Sequence, residues 1–88
     1  MNVYLITYEL HHEKDYQKIQ DAIQSLGGCI HCLRSIWLVK TGFSLPELHE
    51  ILKDKIDADD SLLILKPSGE WDSMNLPTKC RSWLKHHL

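Results

Sequence analysis

The first ten residues constrain the fold most. From Val3 to Leu10 the side chains alternate about a strand. Tyr4, Ile6, Tyr8 and Leu10 share one face; Val3, Leu5, Thr7 and Glu9 share the other. Both faces are apolar until Glu9, which is unusual for a sheet with one wet face. The strand ends on a carboxylate. A helix follows, and then a second strand that carries Arg34-Ser35-Ile36-Trp37-Leu38.

The rest of the chain alternates between the two periodicities. Glu13 to Leu26 reads as a helix with Tyr16, Ile19, Ala22, Ile23 and Leu26 as its buried stripe. Glu13 and Asp15 fall in its first turn, where the helix dipole favours negative charge. Gly27-Gly28 stops it. Cys29 to Leu33 and Ser35 to Lys40 read as extended, either one bent strand or the two strands of a tight hairpin around Arg34. Residues 39–42 turn out of the sheet. Ser44 and Glu47 form a capping box with Pro46 in the first turn. The helix they start carries Leu45, Leu48, Ile51, Leu52 and Ile56 on one side. Asp57-Ala58-Asp59-Asp60 is a polar loop, and Ser61 to Lys66 is a strand stopped by Pro67-Ser68-Gly69.

Strand, helix, strand, strand, helix, strand is the ferredoxin-like βαββαβ pattern, an α+β fold with both helices on one face of an antiparallel sheet. Right-handed crossovers leave the second face open. Val3, Leu5, Leu62 or Leu63, and Ile64 or Leu65 would line it, and an apolar open face predicts a partner. Residues 1–70 form this core. Residues 71–88 add a linker with Trp71 and Met74, then a helix in which Leu76, Cys80, Trp83, Leu84 and Leu88 recur at helical spacing. Pro77 suits its first turn, and Lys85, His86 and His87 its last. This tail is expected to pack on the core or on a second copy, within one domain.

Composition narrows the function classes. A chain of 88 residues buries only about 60–65% of its unfolded surface, so a dimer interface would add useful burial. The net charge of -2 argues against a strongly electrostatic DNA binder. The apolar runs are strand-length, far short of the ~20 residues that span a bilayer. The amino terminus lacks a basic region and a cleavage site, which predicts no signal peptide. Three cysteines without a secretion signal read as reduced thiols in a cytoplasm.

Three pieces of the chain carry a resemblance: Tyr8-Glu9-Leu10, Ser35-Ile36-Trp37-Leu38-Val39, and Trp71…Leu76-Pro77…Trp83-Leu84-Lys85. Their order and spacing resemble the small CRISPR-associated ferredoxin-like endonucleases (the second protein of the spacer-acquisition pair) and VapD-type toxins. They are most similar to SinR-type proteins of the same superfamily. The resemblance implies a homodimer packed through the open sheet faces, acting on RNA or DNA or with a protein of a defence or toxin-antitoxin system. It also implies a magnesium ion held by the strand-end carboxylates of both subunits. Glu9 stands where that superfamily has aspartate, so the charge is kept but moved by one methylene.

The candidate residues follow. Glu9 would ligate magnesium as a hard oxygen donor, and it competes with the reading of a solvated strand-end carboxylate. Arg34 would hold a phosphate through its bidentate fork. Ser35 would donate to the same group, which with Glu9 makes the catalytic pair. Against this stand a turn arginine and a sheet serine. Trp37 reads as core or interface. His11 and His12 titrate near neutral pH and could serve as a general acid, although loop histidines are usually inert. Cys29-Ile30-His31-Cys32 invites a zinc reading, but strand alternation puts the two cysteines on opposite faces. Lys79, Arg81 and Lys85, with His86 and His87, form the densest basic cluster. The acidic loop lacks the glycine and distal glutamate of an EF-hand. Two functions remain: a homodimeric magnesium-dependent nuclease, or a non-catalytic dimeric binding module of the same fold.

Overall fold

The computed structural model describes residues 1–11 and 16–88. The expected helix start at Glu13, the first-turn acids and His12 lie outside the described residues. The elements are β1 (Asn2–Glu9), α1 (Tyr16–Gln24), β2 (Gly28–Leu33), β3 (Ile36–Thr41), α2 (Leu45–Lys53), β4 (Ser61–Leu65) and α3 (Thr78–His87). The sheet order is β2-β3-β1-β4 with every neighbour antiparallel. This is the ferredoxin-like arrangement with an extra C-terminal helix.

β1 lies inside the sheet, paired with β3 through Ile6↔Trp37 and with β4 through Tyr8↔Leu62. Its double apolar character follows from that position. Tyr4, Ile6 and Tyr8 join Ile19, Ile23, Trp37, Val39, Leu48 and Leu52 in the main core, with Leu62 and Ile64 packed against it. Leu63 and Leu65 therefore take the other face, where they remain 53% and 38% exposed. The alternatives left open for β4 are resolved in that sense.

The tight hairpin is the correct alternative for residues 29–40. Leu33 pairs with Ile36 across Arg34-Ser35, and the register shifts between His31 and Leu33. An inserted residue of this kind sharpens the local twist and re-aims side chains. At the other end of β2, Gly27 has φ +152°, and a Cβ there would stand 2.5 Å from the Lys40 carbonyl oxygen. Only glycine lets the two backbones approach so closely. The buried Thr41 hydroxyl fastens the same junction by donating to the Leu26 carbonyl at 2.8 Å.

The capping box forms as expected. The Ser44 side chain accepts from the Glu47 amide, and Glu47 accepts from the Ser44 amide at 3.0 Å. The Ser44 backbone bond, then its hydroxyl, draws the Glu47 carboxyl below its ordinary range. A depressed folded value stabilises the helix start above the unfolded value, and that contribution is lost as pH falls through the folded one.

Two expectations need correction. Cys32 and Cys80 form a disulfide across 48 residues of sequence, so only Cys29 is a free thiol. A spacing of 48 gives no sequence signal for pairing. The bridge arises because α3 packs back on β2. The second correction concerns the open face. Val3 and Leu38 alternate with core residues, yet they are buried, as are Cys80 and Leu84 of α3. The tail therefore covers the β2 side of that face. Leu63 and Leu65 are left uncovered on the β4 side. Among the described residues no helix is long and apolar enough to cross a membrane.

Candidate functional site

The C-terminal end of β1 opens into a groove of about 790 Å³. β1 contributes Thr7 and Glu9, and the β2–β3 turn contributes Arg34 and Ser35. β4 adds Ser61, the register partner of Glu9. α1 adds Tyr16 and Gln20. The antiparallel order causes this convergence: β1 ends where the β2–β3 hairpin turns and where β4 begins. Glu9, Arg34 and Ser35, three candidates named from sequence, thus line one groove.

Glu9 and Arg34 are both exposed, and Ser35 is half-buried. Glu9 is the one carboxylate, and Arg34 the one guanidinium, among the described residues lining the groove. Magnesium is commonly held by one or two carboxylates together with substrate phosphate oxygens and water. Glu9 supplies one such ligand per chain. Among the described residues, the donor set fits magnesium when a bound phosphate or the Glu9 of a second copy completes it.

Beneath the groove the aromatic residues form a connected support. The Tyr8 and Tyr16 rings lie 5.9 Å apart at 46°. The Trp37 Nε1–H donates to the Tyr8 hydroxyl at 3.2 Å. His31 stacks on Trp37 at 4.2 Å and 7°. The His31 Nε2 is 2.7 Å from the Arg34 carbonyl. A carbonyl only accepts, so Nε2 carries the proton. This bond fixes the backbone of the turn that presents Arg34. Trp37 is thereby a core residue.

The other candidates lie elsewhere. The His11 amide donates to Asp60 Oδ1 at 2.8 Å, tying the loop after β1 to the acidic loop. Asp57, Asp59 and Asp60 bring carboxylate oxygens within 4.8 Å of one another. Asp60 also accepts from the Asp57 amide at 2.8 Å, which closes the turn. The Cys32 sulfur is committed to Cys80, while Cys29 packs against the core on the opposite face, so the two do not converge on a zinc site. Burial pushes the Cys29 thiol up, which leaves little nucleophilic thiolate. Lys79, Arg81 and Lys85 belong to α3, which does not line the groove.

Tyr16, Gln20 and Ser61 were not visible as site residues in the sequence. Tyr16 has the spacing of the buried stripe, yet it is 42% exposed. It sits in the first turn of α1, at the sheet end, where the stripe has run past the core. No family model, curated protein or solved structure matches the chain.

Proposed function

We propose that the groove binds the phosphodiester backbone of RNA or DNA, in a homodimer that hydrolyses the bound strand weakly with magnesium. The observation that carries this reading is the convergence of Glu9, Arg34 and Ser35 on one groove. Arg34 grips two phosphate oxygens through its planar fork. Ser35 donates its hydroxyl to the same group. Glu9 supplies the hard oxygen donor for the metal. Magnesium, when bound, polarises a phosphoryl oxygen and lowers the pKa of an attacking water.

The uncovered part of the sheet supports the dimeric reading. Leu63 and Leu65 are exposed on the same face as Thr7 and Glu9. Two copies packed there would bring the strand ends, and so the two Glu9 carboxylates, toward a common axis. Light scattering at micromolar concentration should give about twice the chain mass; a clean monomer would contradict this. Glu9 is the single carboxylate among the described groove residues, which favours a second reading, a dimeric module that binds nucleic acid, or a protein of a defence or toxin-antitoxin system, without cutting. In a cytoplasm the Cys32–Cys80 pair would be held largely reduced. Alkylation of protein quenched directly from cells distinguishes the two forms.

Binding tests the core of the proposal. Fluorescence anisotropy with a labelled oligonucleotide should show Arg34→Ala weakening binding by about 1.5–3 kcal/mol, the contribution of a hydrogen bond to a charged group. The slope of log affinity against log salt should fall by about one phosphate contact. Equal affinity and slope in wild type and Arg34→Ala would remove the groove from consideration.

A further inference from the structure

We infer that the groove takes an unpaired nucleotide of a single strand: Tyr16 stacks on its base, Gln20 meets the edge of that base, and Arg34 holds the adjoining phosphate. This inference rests on reading the groove as a phosphodiester site. Tyr16 is a large aromatic residue at 42% exposure in the wall of a groove that also holds a guanidinium. Its ring is steadied by Tyr8 at 5.9 Å. Tyr8 is fixed by Trp37, and His31 joins Trp37 to the Arg34 turn. The stacking surface and the Arg34 turn are thus joined by one aromatic chain, of which Tyr8 and Trp37 are buried. The backbone that presents Arg34 is thereby held before any ligand arrives, which lowers the cost of ordering it on binding.

Gln20 follows Tyr16 by one helical turn, so the two share a face of α1. An amide beside a stacked base can both donate to and accept from its edge. In a duplex the faces of each base are stacked and its pairing edge is occupied. Only an unpaired base offers both to the protein. The groove volume of about 790 Å³ lies in the range of sites for small organic ligands, roughly 300–1,000 Å³. That matches a nucleotide unit better than a double helix. Glu9 repels phosphate until a cation intervenes, so binding should strengthen with magnesium.

The test is anisotropy on the full chain with magnesium, using a labelled single strand, its duplex, and an abasic strand of equal length. Wild type should prefer the single strand. Tyr16→Ala should lose about 10-fold for the strand with bases and little for the abasic strand, while Tyr16→Phe keeps wild-type affinity. Tyr16→Leu, which preserves apolar bulk in the helix stripe, should lose as much as Tyr16→Ala. Gln20→Ala should narrow the differences among homopolymers. The inference is overturned if the duplex binds as tightly, if Tyr16→Leu binds normally, or if abasic and normal strands weaken equally. A nucleoside monophosphate competing as well as the strand would also overturn it. Failure of Tyr16 variants with a preserved Arg34→Ala effect sinks the stacking alone; failure of both sinks the phosphodiester site.

Discussion

Reducing the Cys32–Cys80 bridge should lower the melting temperature by about 20 °C. The bridge closes a loop of 48 residues, and the chain-entropy account gives about 4 kcal/mol for a loop of that length. A domain of this size loses roughly 4–8 °C per kcal/mol. Cys80 is 1% exposed and Leu84 is buried beside it on α3, so the freed helix still has apolar contacts to keep it near β2. Cys32→Ser and Cys80→Ser should therefore melt lower than wild type but still cooperatively. Truncation after Ser73 should be worse, because it also removes those buried side chains at ~1.5–3 kcal/mol for each large one. Melting curves with and without reductant check the first effect, and the truncated chain checks the second. Identical melting in all of these forms would contradict docking of α3.

Glu9→Ala should abolish magnesium-dependent cleavage, while Glu9→Asp should keep or raise it. Aspartate has one methylene less, so it holds a metal on a shorter and stiffer arm. Displacing a reacting group by about 1 Å can change a rate ~100-fold. Two symmetry-related carboxylates repel each other, and a metal between them offsets that repulsion. The activity should accordingly vanish with chelator. Single-turnover cleavage of labelled RNA and DNA by highly purified protein measures both effects. Cleavage that persists in Glu9→Ala, or that ignores chelator, comes from another site or another protein. If no variant cuts any substrate while Arg34→Ala still weakens binding, the non-catalytic module is the better account.

Local chemistry decided how much of this was legible in the sequence. Ser44, Pro46 and Glu47 announced α2 because a capping box is written within four consecutive residues. Ile19, Ala22 and Ile23 announced the buried face of α1 through helical spacing. Glu9 could be proposed as a site residue because it ends β1, and Arg34 because its fork suits a phosphate; the antiparallel topology brings the β1 end and the hairpin turn together. Long-range pairings left no local trace. Cys32 meets Cys80 only because α3 returns to β2, and composition had favoured reduced thiols. Leu62 and Leu63 are alike in type, so their faces depend on register with β1, which neighbouring residues do not specify. Tyr16 looked like core because periodicity tells which side of a helix is apolar, not how far the core beneath it extends.

The most direct test of the groove is a map of amide chemical-shift changes on adding a single-stranded oligonucleotide to the folded protein with magnesium. The shifts should concentrate at Thr7, Glu9, Tyr16, Arg34, Ser35 and Ser61, which line the groove, and Arg34→Ala should erase most of them. The amides of α2 should stay still. Shifts centred instead on Lys79, Arg81 and Lys85 of α3, unchanged in Arg34→Ala, would contradict the account and move nucleic-acid binding to the C-terminal helix.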